Sequence, residues 1–346
     1  MTPELRNALQ ATARGMVAEG QGILAADESN KTMTKRIEAV GAESTPEARR
    51  RFRELLVTTP GAEEHISGVI MYDETIRQAA ADGTPFPALL ASRKMISGIK
   101  VDTGAKPLAG ADGETVTEGL DGLRERLAEY HELGARFAKW RAVIALGDGL
   151  PSRYCIAANA HALGRYAALC QEAGIVPIVE PEVLMDGGHP IDRSEAVTTA
   201  VLRAVFAELL DQRVLLEGIV LKPNMVMSGY DCEQQAGVDE VAERTLTVLR
   251  RVVPAAVPGV AFLSGGQSDE LASAHLSAMN ARGEAPWELS FSYGRALQAA
   301  PLQAWAGEES NAQAAQAAFA HRARCNGEAR FGRYSAELEH QAATSG

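Results

Sequence analysis

The chain has 346 residues, of which 46% are hydrophobic and 23% charged, and it carries a formal net charge of -11. This length allows one large α/β barrel or two smaller domains, and the composition is typical of a soluble globular protein. The negative charge argues against nucleic acid or an anionic membrane as the main partner. An anionic ligand would therefore need a local basic site.

Localisation and metal binding are also constrained by the composition. No stretch approaches the roughly 20 apolar residues of a membrane span, and the N-terminal segment MTPELRNALQATARG lacks the apolar core of a signal peptide. The four cysteines are dispersed, which favours reduced thiols in a cytosolic protein over a disulfide framework or a zinc site. The seven histidines show no metal-binding spacing. We therefore expect neither a metal nor another cofactor.

Short apolar runs of strand-like composition recur along the chain. In order they are GILAADES (22–29), SGVIMYDE (67–74), GIKVD (98–102), FAKWRAVI (137–144), VPIVEPEV (176–183), GIVLKPN (218–224), GVAFLSGG (259–266) and ELSFSYGR (288–295). Most of the intervals between them have amphipathic helical patterns with capping residues. Thr45 followed by Pro46 predicts one helix start, and Ser194 and Asp239 predict two others.

Eight strands that alternate with helices predict parallel βαβ units with right-handed crossovers. Their number and the chain length favour a closed eight-stranded parallel β/α barrel, the TIM barrel. A doubly wound sheet is the alternative, but no GxGxxG motif follows the first strand. Without a linker or low-complexity tract, residues 1–346 are predicted to form a single domain. We expect the tail from about residue 326 to be loosely ordered.

Ionisable residues follow the predicted strands at the end where β/α barrels carry their functional sites. Only seven of the 34 basic residues are lysines, and three of these, Lys100, Lys139 and Lys222, lie within strand-like segments. Lysine is rarely fully buried, so this placement needs a cause. Because side chains alternate along a strand, Lys139 and Arg141 are predicted to point inward, with Trp140 packed outward.

Each of these features also has a purely structural interpretation. Asp27 could cap the following helix, and Glu180 and Glu182 could merely neutralise nearby lysines. The segment SGGQS could be an ordinary turn between a strand and a helix. The joint pattern favours function, because buried structural ion pairs would have no reason to cluster at one end of a barrel.

The pattern predicts a particular chemistry. A lysine in an apolar pocket beside other cations loses its proton more easily and becomes a nucleophile for a carbonyl carbon. The resulting iminium withdraws electrons and stabilises a carbanion at the adjacent carbon, as aldol cleavage requires. Glycine turns after the seventh and eighth strands offer backbone N–H groups that suit a phosphate. Together these features indicate a phosphorylated ketose as substrate.

Several motifs resemble one known family. The strings ILAADES, GIKVD, FAKWR, VPIVEPE, LKPNMV, FLSGGQS and SFSYGRALQ occur in the order found in class I fructose-bisphosphate aldolase. The likeness runs from about residue 20 to 325 and includes PLAG at 107–110 and GLDGL at 119–123. This resemblance implies a metal-free Schiff-base aldolase of glycolysis and gluconeogenesis, acting on phosphorylated ketoses and trioses, and usually a homotetramer.

The resemblance also implies residue roles. Lys222 would form the Schiff base, and Glu180 would be the general acid and base, with Glu182 nearby. Asp27 would take the proton from the carbon-4 hydroxyl, and Lys139 would stabilise the carbinolamine. The expected substrate-binding set is Ser264, Gly265, Gly266, Gly294 and Arg295 for the carbon-1 phosphate, and Ser29, Arg36, Arg49, Lys100 and Arg141 for the sugar and the second phosphate.

Some questions stay open at this point. A Schiff-base aldolase for sedoheptulose or tagatose bisphosphate would share these motifs, and a non-catalytic phosphosugar-binding scaffold is a further alternative. A metal-dependent aldolase is disfavoured by the missing histidine cluster. Vertebrate family members end in a tyrosine that assists proton exchange, whereas residues 335–346, SAELEHQAATSG, contain none. We therefore expect the tail to contribute little to the reaction.

Overall fold

A barrel of parallel strands forms the centre of the computed structural model, which describes residues 1–283 and 285–341. The strands of this part of the chain are β1 (Gly22–Ala26), β2 (Ile66–Met71), β3 (Ile96–Lys100), β4 (Gly104–Pro107), β5 (Thr115–Glu118), β6 (Phe137–Ile144), β7 (Val176–Val183), β8 (Val220–Leu221), β9 (Gly259–Phe262) and β10 (Glu288–Tyr293). The barrel order is β1-β2-β3-β6-β7-β8-β9-β10, and β10 pairs with β1 to close it. The predicted eight-stranded parallel barrel is thus confirmed.

Helices cover the outside of the barrel. They are α1 (Pro3–Met16), α2 (Asn30–Ala39), α3 (Pro46–Thr58), α4 (Asp73–Ile76), α5 (Phe86–Ser92), α6 (Leu123–Glu132), α7 (Arg153–Glu172), α8 (Ile191–Asp211), α9 (Val238–Val252), α10 (Asp269–Ala281), α11 (Arg295–Trp305), α12 (Ala312–Arg330) and α13 (Ala336–His340). Within the described residues, none of them combines the length and apolar character needed to cross a lipid bilayer.

Helix α1 closes one end of the barrel. Its buried residues Leu9, Ala13 and Met16 belong to the same apolar cluster as Phe137 and Val176, which begin β6 and β7. These contacts lie at the N-terminal ends of the strands. The opposite end, where the strands finish, is left for a ligand site.

Strand β8 is much shorter than the run GIVLKPN suggests, since it covers only Val220 and Leu221. Lys222 still donates its backbone N–H to the carbonyl of Val179 at 2.8 Å, but Pro223 has no N–H to continue the ladder. The proline therefore prevents the ladder of hydrogen bonds from continuing past the lysine. Its carbonyl accepts a hydrogen bond from Leu263 at 3.2 Å, which fixes this corner to the end of β9.

Two predicted helix starts are wrong. Helix α8 begins at Ile191, after Pro190, so Ser194 lies buried inside the helix, where its hydroxyl accepts the N–H of Met227. Helix α9 begins at Val238 after Gly237, which leaves Asp239 one residue inside. The prediction at Thr45 is confirmed, because its side chain accepts the N–H of Ala48 and caps α3. The hairpin of β4 and β5 was not predicted.

The expectation of a loosely ordered tail from about residue 326 is also corrected for residues 326–341. Helix α12 continues to Arg330, and α13 follows as a short helix capped by Ser335. Arg322, which is only 3% exposed, binds the carboxylate of Glu339 and thereby anchors α13. The segment is ordered because the buried Arg322 guanidinium needs an anionic partner, and no pattern in the sequence indicates this pair. Residues 342–346 lie outside the described residues.

Candidate active site

A cavity of about 840 Å³ lies at the C-terminal end of the barrel. Residues from all eight barrel strands, or from the segments directly after them, line it. Fourteen of the residues predicted from sequence are among them: Asp27, Ser29, Arg36, Lys100, Lys139, Arg141, Glu180, Glu182, Lys222, Ser264, Gly265, Gly266, Gly294 and Arg295. The structure therefore brings nearly the whole predicted set to one place.

Arg49 is the exception. It is buried on α3, where its Nε and Nη2 donate to the two carboxylate oxygens of Glu74 at 2.9 and 2.6 Å. Arg49 is not part of the cavity lining. The bidentate pair with Glu74 gives Arg49 a structural role, and its contact with the substrate stays a prediction that this geometry does not support.

Four buried ionisable side chains form a continuous chain in the cavity. Lys222 Nζ lies 3.4 Å from Glu180 Oε1, and Lys139 Nζ lies 3.2 Å from Glu180 Oε2. Lys139 also donates a hydrogen bond of 2.9 Å to Asp27 Oδ2. Although Lys139 lies near Glu180 Oε2, this oxygen accepts no hydrogen bond within the described residues. The Glu180 carboxylate therefore lies between the two lysines, with one oxygen near each ammonium group.

Local structure explains how these side chains reach the cavity. Along β6, Lys139 and Arg141 face the interior, while Trp140 packs against Tyr166 of α7 with a ring separation of 5.5 Å. This confirms the predicted alternation. The side chain of Ser29, not that of Asp27, caps helix α2 by accepting the N–H of Thr32. Asp27 is thereby free to pair with Lys139.

Burial and charge change the pKa values of the central groups. Burial is the largest cause that lowers the pKa of Lys222, and the neighbouring charge of Lys139 lowers it further. For Lys139 burial acts the same way, but Asp27 and Glu180 outweigh it and raise its pKa. Burial alone would raise the pKa of Asp27, yet Lys139, Lys222 and Lys100 together lower it to about 2. Lys139 is the permanent cation and Lys222 the lysine that can become neutral.

Three further cations in the cavity have carboxylate partners. Lys100 Nζ lies 2.7 Å from Asp102 Oδ1, Arg141 binds Glu182, and Arg36 binds Glu28. Asp102 and Glu28 were not predicted as site residues, although Glu28 lies between Asp27 and Ser29 and Asp102 lies two positions after Lys100. A second omission is Gln298 of α11, which donates to Glu28 Oε1 and to the Ala25 carbonyl, both at 2.8 Å. Its position within a helix gave no signal.

Two turns at the edge of the cavity offer backbone N–H groups. After β9, Gly265 and Gly266 have φ angles of +58° and +96°, a left-handed conformation that favours glycine. After β10, Gly294 caps α11 and Arg295 is the first helical residue. Arg295 Nη2 lies 3.2 Å from the position a Cβ of Gly266 would occupy. Successive N–H groups and a guanidinium thus converge on a site suited to an anion.

A group of possible metal ligands lies elsewhere. Within the described residues, His321, Cys325 and Glu339 bring their ligand atoms within 4.8 Å of one another. The Glu339 carboxylate is already bound by Arg322 and accepts the hydroxyl of Tyr334 at 2.8 Å. None of the three lines the cavity. This group therefore fits an ion-paired anchor for α13 better than a metal site.

Comparisons with known proteins agree on one family. The family described as "Glycolytic: Fructose-bisphosphate aldolase class-I" matches residues 8–346. The chain is 57% identical to a probable fructose-bisphosphate aldolase class 1 of Xanthomonas campestris over 94% of this chain and 98% of that protein. It is 50% identical to fructose-bisphosphate aldolase 6, cytosolic, of Arabidopsis thaliana over 98% and 94% of the two chains.

A solved structure gives the same result for the fold. Fructose-bisphosphate aldolase from Plasmodium falciparum, crystallised with TRAP and a small-molecule inhibitor, superposes with a TM-score of 0.96. It is 46% identical in sequence, and the match covers 97% of each chain. The similarity therefore includes the helices and loops around the barrel as well as its strands.

Proposed function

Because the chain belongs to the class I fructose-bisphosphate aldolase family, we propose that Lys222 is the lysine on which its substrate forms the Schiff base. The protein is a lyase that reversibly cleaves fructose 1,6-bisphosphate to dihydroxyacetone phosphate and glyceraldehyde 3-phosphate through a lysine Schiff base. The observation that carries the residue assignment is the burial of the Lys222 side chain in the cavity, with its Nζ 3.4 Å from Glu180 Oε1, and the lowered pKa of Lys222 agrees with it.

The first steps are carbinolamine formation and loss of water. Lys222 in its neutral form attacks carbon 2 of the open-chain ketose, and the nitrogen loses a proton as the carbonyl oxygen gains one. Glu180 exchanges these protons, a role supported by the distance of 3.4 Å between its Oε1 and Lys222 Nζ. Lys139 stays charged and stabilises the developing oxyanion before water leaves.

Cleavage of the carbon–carbon bond follows. Asp27 removes the proton of the carbon-4 hydroxyl, the bond between carbons 3 and 4 breaks, and its electron pair moves into the iminium to give an enamine. The low pKa of Asp27 keeps the carboxylate ionised at neutral pH, so it can accept a proton. The same low pKa means that this proton is held only briefly before it is passed on.

The polar and basic residues of the cavity form two groups, one for each end of the substrate. Ser264, the two glycines of the turn and Gly294 with Arg295 bind the carbon-1 phosphate. Ser29, Arg36, Lys100 and Arg141 contact the sugar and the second phosphate. Glu182 is a positioning residue, because its carboxylate binds Arg141 and holds the guanidinium toward the cavity.

Replacement of Lys222 tests this proposal. Lys222→Arg keeps a positive charge but cannot form an iminium, because a guanidinium stays protonated. We expect cleavage to fall by at least about 10³-fold, the range found when a covalent nucleophile is lost. Lys106→Arg, on the exposed strand β4, is the matched control and should retain full activity. Substantial turnover by a purified, folded Lys222→Arg enzyme would exclude the assignment.

The quaternary structure, pathway and location are proposed from the relatives. The chain is a single barrel domain that assembles as a homotetramer and works in glycolysis and gluconeogenesis. A cytosolic location is supported by the Arabidopsis relative, which is named as a cytosolic aldolase. Light scattering on the purified protein tests the tetramer, and a mass of one or two chains would contradict it.

A further inference from the structure

Tyr230 contacts the turn of Gly265 and Gly266, which we assign to the carbon-1 phosphate. It belongs to the segment between β8 and α9, and the segment after β7 fixes its backbone. The N–H of Tyr230 donates to the carbonyl of Met185 at 2.9 Å, and the N–H of Gly229 donates to the carbonyl of His189 at 2.8 Å. Tyr230 is 40% exposed and is not part of the cavity lining.

The tyrosine hydroxyl reaches the turn itself. It donates a hydrogen bond of 2.8 Å to the carbonyl oxygen of Gly265. In a trans peptide unit, the carbonyl and the following N–H point in opposite directions. Gly265 and Gly266 both line the cavity, and Tyr230 lies outside its lining. A Gly265 carbonyl held outward by Tyr230 therefore directs the N–H of Gly266 inward, toward the position of the phosphate.

The turn needs such a contact because it contains two adjacent glycines. Only glycine adopts their left-handed φ angles at low energetic cost, but glycine also adopts many other conformations. A rotation of the peptide unit between them would exchange the inward N–H for an inward carbonyl, which repels a phosphate. Tyr230 Oη and Arg295 Nη2 lie 3.3 and 3.2 Å from the position a Cβ of Gly266 would occupy. They thus flank the same residue.

We propose that Tyr230 is a positioning residue for phosphate binding, which selects the orientation of the peptide between Gly265 and Gly266 through its hydroxyl. This inference rests on the proposed assignment of that turn to the carbon-1 phosphate. Burial raises the pKa of Tyr230 to about 12, so the hydroxyl stays a donor across the working pH range. One neutral hydrogen bond contributes about 1 kcal/mol, which corresponds to about five-fold in affinity.

Removal of the hydroxyl tests the inference. For Tyr230→Phe we expect the KM for fructose 1,6-bisphosphate and the inhibition constant of inorganic phosphate to rise about three- to ten-fold. The kcat should stay within about two-fold, since the reacting atoms are untouched. The matched control is Tyr154→Phe, at a position of α7 where the residue is 52% exposed. A phosphate-induced rise in Tm that is smaller for Tyr230→Phe than for the control would support the same conclusion.

An unchanged KM and phosphate inhibition constant in Tyr230→Phe would overturn the inference, as would a loss confined to kcat. Arg295→Ala separates this failure from failure of the proposed function. If Arg295→Ala weakens phosphate inhibition and Tyr230→Phe does not, only the role of Tyr230 is wrong. If neither variant changes phosphate inhibition, the phosphate lies elsewhere and the assignment of the turn also fails.

Discussion

Lys139 binds Asp27 through a hydrogen bond of 2.9 Å between its Nζ and the Oδ2 of the aspartate, and both side chains are buried. The pair joins β6 to the end of β1 across the barrel mouth. A buried carboxylate without such a partner would be protonated far more readily. Lys139 is the first of the three lysines that keep the Asp27 carboxylate ionised, the form that its proposed role as a base requires.

Replacement of Lys139 should change the pH dependence of the reaction. In Lys139→Met, burial dominates at Asp27, so its pKa rises from about 2 and protonation removes the base at higher pH. We expect the acid limb of kcat/KM to move upward by about one pH unit or more, with kcat lowered about 10²-fold at neutral pH. A pH–rate series against the Lys106→Met control measures both effects. An unmoved acid limb would show that Lys139 does not set the ionisation of Asp27.

The two phosphate ends should respond differently to substrate truncation. Arg295→Ala should raise the KM for fructose 1,6-bisphosphate and for fructose 1-phosphate, each about ten-fold or more, because a charge-assisted contact is lost from both complexes. Arg36→Ala should raise the KM for the bisphosphate by a similar factor and leave fructose 1-phosphate nearly unaffected. If Arg36→Ala raises the KM of both substrates by the same factor, Arg36 does not contact the second phosphate.

Arg49 should affect stability and not substrate binding. Its replacement by Met removes the hydrogen bonds to Glu74, which keeps Arg53, 3.4 Å away, as its cationic partner among the described residues. We expect the free energy of unfolding to fall by about 1–2 kcal/mol and KM to stay unchanged. Urea unfolding and steady-state kinetics on the same preparation provide the measurements. A raised KM with normal stability would support the predicted contact of Arg49 with the substrate.

The C-terminal anchor should also be a stability element. Glu339→Gln deprives the buried Arg322 guanidinium of its carboxylate and should lower the free energy of unfolding by about 2–3 kcal/mol. Glu337→Gln, at an exposed position of the same helix, is the matched control and should change little. Equal stabilities for the two variants would mean that the contact contributes no net free energy.

Truncation after Tyr334 separates stability from catalysis. It should lower stability like Glu339→Gln, but tritium exchange from dihydroxyacetone phosphate, which reports protonation of the enamine, should stay within about three-fold of the full chain. Water or Glu180 can supply that proton. An exchange rate that falls far more than substrate binding would show that the tail takes part in the chemistry.

Chelation should leave activity intact. In the part of the chain that the structure describes, the metal-ligand candidates His321, Cys325 and Glu339 lie outside the cavity, and Arg322 occupies the carboxylate. Exhaustive dialysis against EDTA followed by an assay in metal-free buffer is the measurement. Loss of activity that zinc restores would place the protein in a different mechanistic class.

The sequence predicted the barrel and most of the site because both depend on local patterns. Strand ends marked by Asp27, Glu180 and Lys222 converge once eight parallel strands close, so alternation and strand order suffice to predict their proximity. The placement of Trp140 against α7 follows from the same alternation.

What the sequence did not predict depends on contacts between distant segments. Gln298 reaches Glu28 across 270 positions of the chain, and Arg322 reaches Glu339 only after α12 and α13 have folded back on each other. The bidentate pair of Arg49 with Glu74 was likewise not predicted. Such partners have no periodic signature, because they are selected by tertiary packing.

Trapping of the covalent intermediate identifies the lysine that forms the Schiff base. Borohydride reduction in the presence of dihydroxyacetone phosphate converts the iminium into a stable secondary amine, and mass spectrometry of the digested protein locates it. We expect one modification per chain, on the peptide that contains Lys222, and none without the substrate. Modification at Lys139 or Lys100, or no modification while the enzyme turns over, would exclude Lys222 as the Schiff-base lysine.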